Sequence, residues 1–263
     1  MTTSDNHRQL NGKILVPFIA PPNGGKGTQT KVISAKYGLP TFDMGATFRS
    51  ILKENADPVL ASELKFYMSQ GKLVPVKTVL QVFTKGFTTL VDKHPQARGF
   101  ILDGFPRNAD QAKGLLTLCE EWGASMPTVI YLNVGLDVVT QRSTGRRFCS
   151  LDTSHLYNIY APKFKPKNKR IGGDGQPVKD AQEREVWVCD LDGNDLIVRA
   201  DDEPDTVQKR LVEYENETNP IISFFADQKL LAEINGDQQP EIITGEIEAV
   251  LQKFIQPLAS AKA

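Results

Sequence analysis

The feature that most constrains this chain is a glycine-rich segment that follows an apolar run near its start. Residues 20–29 read Ala-Pro-Pro-Asn-Gly-Gly-Lys-Gly-Thr-Gln, between the apolar run 14–20 and a helix-like stretch. A loop in that position can point backbone N–H groups at phosphates, while the helix N-terminus adds partial positive charge and the lysine reaches outward. A flexible turn is the alternative for this segment taken alone. The segment predicts a strand, a phosphate-binding loop and a helix, in that order.

Further apolar runs predict a parallel sheet wrapped by helices. Buried-strand patterns occur at 14–20, 99–102 and 129–134, and helix-like segments separate them. Pro17 lies inside the first run and would remove a donor from the ladder. Either the strand pairs on one side at that point, or its boundary lies elsewhere.

The C-terminal half contains one irregular segment. Residues 161–186 are rich in Lys, Gly and Pro with little periodicity, which predicts an exposed insertion. Its basic run 163–170 could contact phosphates, but a solvated hairpin with unpaired charges is the favoured interpretation. Residues 203–225 then have the periodicity of a long helix, and 229–234 that of a last strand. A turn at Asn235-Gly236-Asp237 follows.

Composition bounds the class of protein. The 263 residues, 40% of them hydrophobic, can bury one core with insertions or two small cores. A net charge of −1 gives no overall attraction to nucleic acid or an anionic membrane, and no apolar run approaches the ~18 residues of a membrane span. The three cysteines are too few for a disulfide framework, and the polar start lacks the apolar core of a secretory signal. We therefore expect a cytoplasmic protein that binds neither nucleic acid nor membrane.

A carboxylate and a set of arginines accompany the loop. Asp103 follows a buried-strand pattern, at the edge where ligands bind a parallel sheet, and it can orient water around Mg²⁺. A plain Asp-Gly turn is the alternative. Arginine binds phosphate oxygens through two N–H groups and stays charged, although a single arginine is more often a solvated surface charge. The candidates are Arg49, Arg107, Arg142, Arg146, Arg199 and Arg210.

Four motifs occur together in the order and spacing of one family. They are Gly25-Lys-Gly-Thr-Gln, Asp103-Gly-Phe-Pro-Arg-Asn-Ala-Asp-Gln111, Gly145-Arg-Arg147, and Arg199-Ala-Asp-Asp with Val207-Gln-Lys-Arg-Leu-Val-Glu-Tyr214. On these residues the chain resembles the adenylate kinase family, in its long-lid form, over roughly residues 13 to 255. The resemblance implies an α/β fold with a P-loop kinase core, its parallel sheet flanked by helices. The core would comprise 13–42, 75–134 and 201–255, with a nucleoside-monophosphate-binding insertion at 43–74, a lid at 135–200, and tails at 1–12 and 256–263.

The resemblance also implies roles for individual residues. ATP would be bound by Asn23, Gly24, Gly25, Lys26, Gly27, Thr28, Arg142 and Gly236. The acceptor nucleotide would be bound by Met44, Arg49, Val74, Gly104, Arg107 and Gln111, with Gln111 facing the base. Asp103 would position water on Mg²⁺. The residues holding the phosphates during catalysis would be Lys26, Arg107, Arg146, Arg199 and Arg210.

Four positions depart from the family's pattern. Ala20 and Asn23 replace two loop glycines, and asparagine is the least costly such replacement where φ is positive. Met44 lacks the hydroxyl that usually meets the acceptor base, and Ala46 lacks a carboxylate near the phosphates. A different register through Thr41-Phe42-Asp43 is the alternative explanation of the last two.

The lid segment contains two Cys-x-x-Asp pairs, and each pair has the spacing of a zinc knuckle. Family lids with bound zinc place ligands at these two places. The resemblance therefore implies a structural Zn²⁺ site formed by Cys149, Asp152, Cys189 and Asp192. Thr153 or His155 is an alternative ligand in the first pair, and a metal-free, hydrogen-bonded lid is the favoured interpretation over a bound ion.

The expected reaction is phosphoryl transfer from Mg-ATP to a nucleoside monophosphate, with AMP as the favoured acceptor, by a monomer. Transfer would be in line, without a covalent intermediate. One alternative is a UMP/CMP kinase, because some pyrimidine-nucleotide relatives also lack the threonine where Met44 stands. Another is a non-catalytic nucleotide sensor, suggested by the four departures together. Retention of Lys26, Asp103 and the arginines argues against the sensor.

Overall fold

A five-stranded parallel sheet forms the centre of the structure, a computed structural model that describes residues 10–256 and 258. Numbered along the chain, its strands are β1 Ile14–Ile19, β2 Thr41–Asp43, β3 Gly99–Asp103, β4 Val129–Asn133 and β10 Leu231–Asn235. Their order is β10-β4-β1-β3-β2, and every pairing is parallel. The carboxyl ends of these strands therefore share one edge, where the loops after β1, β2 and β3 meet.

Pro17 lies within β1, and the strand pairs around it on one side. Pro17 is the register partner of Leu102 in β3, whereas pairing with β4 occurs only at Phe18 and Ile19. The sheet thus accommodates a residue without an N–H group in its central strand. The first of the two interpretations of Pro17 is confirmed.

Helices cover both faces of the sheet. Successive β1 residues alternate between two buried clusters: Leu15 lies in one and Val16 in the other, as expected when side chains point to opposite faces. The helices outside the lid and acceptor segments are α1 Lys26–Tyr37, α4 Val76–Lys93, α5 Ala109–Trp122, α7 Pro204–Glu213, α8 Pro220–Asp227 and α9 Pro240–Leu251. The predicted α/β class with a helix-flanked parallel sheet is confirmed.

Two short helices occupy the predicted acceptor-binding segment. They are α2 Met44–Glu54 and α3 Pro58–Ser69, and each is capped by an aspartate that accepts a backbone N–H bond. Asp43 accepts from Ala46 at 2.9 Å, and Asp57 accepts from Leu60 at 3.0 Å. Such caps satisfy N–H groups that a helix leaves unpaired at its first turn.

The predicted lid segment begins with α6 Leu136–Gly145 and continues into small antiparallel sheets. One sheet has the order β6-β5-β9, formed by Leu156–Asn158, Arg146–Cys149 and Leu196–Ile197. The other pairs β7 Asn168–Lys169 with β8 Trp187–Val188. The predicted exposed insertion is thus a folded extension of this second sheet.

The expectation of unpaired charges in that extension is wrong for at least three cations. Lys163 lies 3.0 Å from Glu241, Lys169 2.6 Å from Glu185, and Arg170 2.6 Å from Asp195. Glu185 lies just before β8, Asp195 lies just before β9 and Glu241 lies in α9, so the pairs form only once the chain folds.

The predicted long helix at 203–225 is interrupted near its middle. After α7, residues Tyr214–Thr218 form a π-helical turn, and α8 starts at Pro220. Pro220 has no N–H group to donate, and the Asn219 N–H bonds five residues back to Tyr214 O at 2.8 Å. The last strand and the turn after it are confirmed, with Asp237 N–H donating to Asn235 Oδ1 at 3.0 Å.

The predicted tails fall mainly outside the described residues, which omit 1–9, 257 and 259–263. Leu10 is described and is buried in the core, although it was assigned to the first tail. Among the described residues, no helix is both long enough and apolar enough to cross a bilayer.

Candidate active site

The loop between β1 and α1 has the shape of an anion cradle. Asn23 and Gly25 both adopt positive φ angles, 59° and 91°, and α1 begins at Lys26. Backbone turns of this kind point successive N–H groups to one concave side. A Cβ atom added at Gly25 or Gly27 would meet nothing within 4 Å, so space remains above the loop. Thr28 follows in the first turn of α1.

Lys26 and Asp103 face each other across the ends of β1 and β3. Lys26 Nζ lies 4.0 Å from Asp103 Oδ1 and 3.4 Å from the carbonyl oxygen of Ala20. Burial lowers the pKa of Lys26, which Asp103 opposes, and burial raises the pKa of Asp103, which Lys26 opposes. Each group therefore helps to keep its partner charged at the open end of the sheet.

Three predicted acceptor residues meet beside Asp103. A Cβ atom added at Gly104 would lie 3.7 Å from both Arg107 Nη2 and Met44 Cβ. Gly104 has a φ of 77°, so it turns the chain sharply after β3. Met44 and Val74 are buried in the same core cluster.

Gln111 and Arg49 have different surroundings. Gln111 is buried, and its Oε1 accepts the Arg107 N–H at 2.8 Å, so it supports the backbone of Arg107. Arg49 is exposed on α2, with Nη2 3.9 Å from Asp43 Oδ2. The structure thus brings Gly104, Arg107 and Met44 together, with Gln111 directly beneath Arg107.

Two predicted lid arginines lie over the same aromatic ring, that of Phe148. The Arg199 guanidinium lies 3.4 Å from the centroid of Phe148, and that of Arg146 lies 5.1 Å from it. Arg146 also donates to both carboxylate oxygens of Asp202, at 2.5 and 2.7 Å. Burial lowers the pKa of Arg199, and Arg49 and Arg146 lower it further, while the carboxylates of Asp201 and Asp202 oppose the shift.

Three cationic side chains, Lys26, Arg107 and Arg210, line a cleft at the carboxyl edge of the sheet. Arg210 donates to Asp201 O at 3.0 Å, and burial, with Arg107 nearby, lowers its pKa to about 10. The residues lining the cleft include Lys26, Gly104, Arg107, Arg210, Glu213 and Thr218. Three cations in one cleft favour an anionic ligand.

Arg142 and Gly236 lie next to each other, as their predicted shared role requires. Arg142 Nη2 is 3.4 Å from the carbonyl oxygen of Gly236. A side chain at Gly236 would collide with Val134 and with the backbone of Asn133, so close packing requires glycine there.

Comparison with known proteins is consistent with this geometry. A family model described as adenylate kinase matches residues 18–230. The chain belongs to the adenylate kinase family. Among curated adenylate kinases, that of Oceanobacillus iheyensis is 34% identical over 232 residues, covering 88% of this chain and 96% of the relative. That of Bacillus subtilis is 33% identical over 230 residues, covering 88% and 94%, and that of Thermodesulfovibrio yellowstonii 33% over 236 residues, covering 90% and 98%.

The predicted lid segment contains four neighbouring side chains that could bind a metal ion. Their ligand atoms all lie within 4.8 Å of one another, and the residues are Cys149, His155, Cys189 and Asp192. Asp152, predicted as a ligand, does not belong to this group. Its Oδ1 accepts the Ser154 N–H at 2.8 Å and its Oδ2 lies 3.5 Å from His155 Nε2, and His155 is the fourth member of the group. His155 was the alternative that the spacing left open.

Several residues near the site had no assigned role in the sequence. The Thr218 hydroxyl donates to Arg107 O at 2.8 Å, and Glu213 Oε1 accepts the Leu73 N–H at 2.9 Å. Both lie in or beside the π-helical turn, which sequence periodicity does not reveal. Asp202 follows Arg199 in a quoted motif, and its position in that motif was the available signal.

Proposed function

We infer that this chain catalyses the reversible transfer of the terminal phosphoryl group from Mg-ATP to AMP, giving two ADP. Its membership of the adenylate kinase family and the names of its relatives support this reaction. The structural observation that carries the inference is the cleft in which Lys26, Arg107 and Arg210 converge beside Asp103.

The donor nucleotide is assigned to the loop side of the cleft. Backbone N–H groups of the loop would bind the phosphates, Lys26 would reach the outer ones, and α1 would contribute its positive end. Arg142 and Gly236, 3.4 Å apart, would contact the donor base. The loop residues assigned here are Asn23, Gly24, Gly25, Lys26, Gly27 and Thr28.

The acceptor is assigned to the opposite side of the cleft. Arg107 and Arg49 would hold its phosphate, while Met44 and Val74 would border its base. The buried Gln111 supports the Arg107 backbone at 2.8 Å, so its proposed contact with the base involves the remainder of its amide group. Gly104 leaves room for the acceptor phosphate because it carries no side chain.

Catalysis would rest on alignment and charge. The acceptor phosphate is already an anionic nucleophile, so no protein group has to remove a proton or form a covalent bond. Arg146, Arg199 and Arg210 would spread the negative charge that develops on the transferring group. Closure of segments 43–74 and 135–200 over the cleft would exclude water.

The residues present fit a hydrated Mg²⁺. Asp103 is a carboxylate at the carboxyl edge of the sheet, and Asp43 lies opposite it on β2. Asp103 is the assigned protein partner and would hold water on the ion. When bound with ATP, Mg²⁺ would neutralise phosphate charge.

The lid cluster fits a structural Zn²⁺. Cys149 Sγ lies 3.1 Å from Asp192 Oδ2, and Cys189 Sγ lies 3.5 Å from His155 Nδ1. These separations are close to those between ligands around a tetrahedral zinc, and the set has two thiolates, an imidazole and a carboxylate. We propose that Cys149, His155, Cys189 and Asp192 hold this ion and stabilise the lid fold.

Two further proposals concern the protein's state. The cysteines Cys119, Cys149 and Cys189 are all free and buried, which supports a reducing compartment, the cytoplasm. The site is assembled from one chain, which supports a monomer as the active form.

The deciding experiment is a coupled assay of ADP formation from Mg-ATP with AMP, UMP, CMP or GMP. We expect turnover with AMP, loss of that turnover in Arg107→Ala, and weak recovery in Arg107→Lys, because lysine keeps the charge but not the two-pronged geometry. Turnover only with UMP or CMP would reassign the acceptor. Nucleotide binding without any ADP would indicate a sensor.

A further inference from the structure

Asn23 adopts a backbone conformation that favours glycine. Its φ is 59°, in the left-handed region, within the phosphate loop. Asparagine tolerates this region better than other non-glycine residues, but glycine adopts it without strain. The side chain at this position therefore needs a reason beyond the shape of the loop.

The Asn23 side chain forms hydrogen bonds with two residues that are distant in the sequence. Its Nδ2 donates to Ser143 Oγ at 2.6 Å and to Asp202 Oδ1 at 3.2 Å, which uses both amide hydrogens. Ser143 and Asp202 are only 0% and 1% exposed, so these bonds are shielded from water.

Both partners are themselves fixed. The Ser143 hydroxyl donates to Val139 O at 2.7 Å, so it accepts from Asn23. The Asp202 carboxylate accepts two bonds from Arg146. A continuous chain of hydrogen bonds therefore joins the phosphate loop to Arg146, through Asn23 and Asp202.

The two partners lie at the two junctions of the lid segment. Ser143 is in α6, by which the chain enters the segment, and Asp202 is in the 3₁₀ turn Ala200–Asp202, by which it leaves. Asn23 is thus bonded to both connections between the core and the lid arginines.

We propose that the Asn23 side chain is a positioning residue for phosphoryl transfer, which holds the donor phosphate loop in register with the base of the lid and with Arg146. The proposal rests on the proposed function. Asn23 would act through Ser143 and Asp202, in addition to any contact of its backbone with phosphate.

The test compares Asn23→Gly, Ser143→Ala and the double variant in kcat, in KM for each nucleotide and in Tm. We expect Asn23→Gly to lower kcat about tenfold, and Ser143→Ala to lower it less because the bond from Asn23 to Asp202 remains. KM for AMP should be unchanged in both, because the bonds lie on the donor side. The double variant should be no slower than Asn23→Gly alone, since Asn23→Gly already removes the bond that Ser143→Ala breaks. Asn23→Gly should lower Tm only slightly, because relief of the left-handed strain offsets part of the loss of two buried hydrogen bonds.

Thr140→Ala is the matched control. Thr140 lies in the same helix and donates the same kind of bond, to Leu136 O at 2.8 Å, but is not a partner of Asn23. Its kcat should equal that of the wild-type chain. An active wild-type chain with full kcat in Asn23→Gly, or with multiplying effects of the two substitutions, would overturn this inference alone. A wild-type chain that forms no ADP would overturn the proposed function as well.

Discussion

Asp43 and Asp103 are register partners at the carboxyl ends of neighbouring parallel strands. The Asp43 side chain has two effects on its surroundings. Its Oδ1 caps α2 by accepting the Ala46 N–H, and its charge adds to the burial that raises the pKa of Asp103. Position 46 is alanine and offers no carboxylate, whereas Asp43, three residues earlier, does.

Two substitutions of Asp43 distinguish its role as the cap of α2 from the role of its negative charge. Asp43→Asn keeps an oxygen that can cap α2 and should change the free energy of unfolding by less than about 0.5 kcal/mol, whereas Asp43→Ala should cost about 1 kcal/mol. Both remove the charge, and both should raise the Mg²⁺ concentration for half-maximal rate about threefold or more. Denaturant unfolding and Mg²⁺ titration of the rate measure these effects. An unchanged Mg²⁺ requirement in Asp43→Asn would show that the second charge has no such role.

Thr218 is expected to support Arg107 from the π-helical turn. Thr218→Val removes the donor to the Arg107 carbonyl and should cost about 1 kcal/mol of stability. It should also raise KM for AMP about fivefold, because Arg107 would be less firmly placed. Thr128→Val is the control, since the buried Thr128 hydroxyl donates to Leu230 O at 3.3 Å. We expect similar destabilisation there with normal KM, and equal KM in the two variants would refute the link to Arg107.

The lid cluster predicts a contrast between two neighbouring residues. His155→Ala should lose bound zinc and lower the Tm, because it removes one of four ligands. Asp152→Ala should retain the metal, since its carboxylate bonds the Ser154 N–H. Metal analysis of the purified proteins measures this, with about one zinc per wild-type chain expected. Loss of zinc in Asp152→Ala with retention in His155→Ala would show that Asp152, and not His155, is the fourth ligand.

Cys119 should be inert in the folded protein. Burial raises the pKa of its thiol to about 12, so on the order of one molecule in ten thousand carries the reactive thiolate at pH 8. Iodoacetamide should label Cys119 only after unfolding. Because an unfolded thiol ionises first, stability should fall as pH rises from about 9 toward 12. Cys119→Ala should remove that part of the decline, and rapid native-state labelling at pH 8 would contradict the shift.

The sequence predicts most of the framework for identifiable reasons. The strands at 14–20, 99–102 and 129–134 are recognisable because buried parallel strands are continuously apolar, and glycine spacing reveals the loop between β1 and α1. β2 was not predicted, since three residues are too short for periodicity to show.

Contacts between distant segments were beyond sequence reasoning. The partners of Asn23 lie 120 and 179 residues away, and no local pattern connects them. The grouping of His155, rather than Asp152, with Cys149, Cys189 and Asp192 likewise depends on how the strands of this segment turn. The residue types in the sequence limit which side chains could bond to Asn23 or join the lid cluster. The folded backbone determines which of those side chains lie close enough to do so.

The strand order has a consequence for how such a chain can change. The chain builds β2 and β3 on one side of β1 before it crosses to β4 and β10 on the other. Determinants proposed for the acceptor therefore lie within residues 43–111, and those for the donor base lie after residue 135. Substitutions within this one continuous segment, or its exchange between relatives, can therefore change the acceptor preference while the donor-base determinants stay the same.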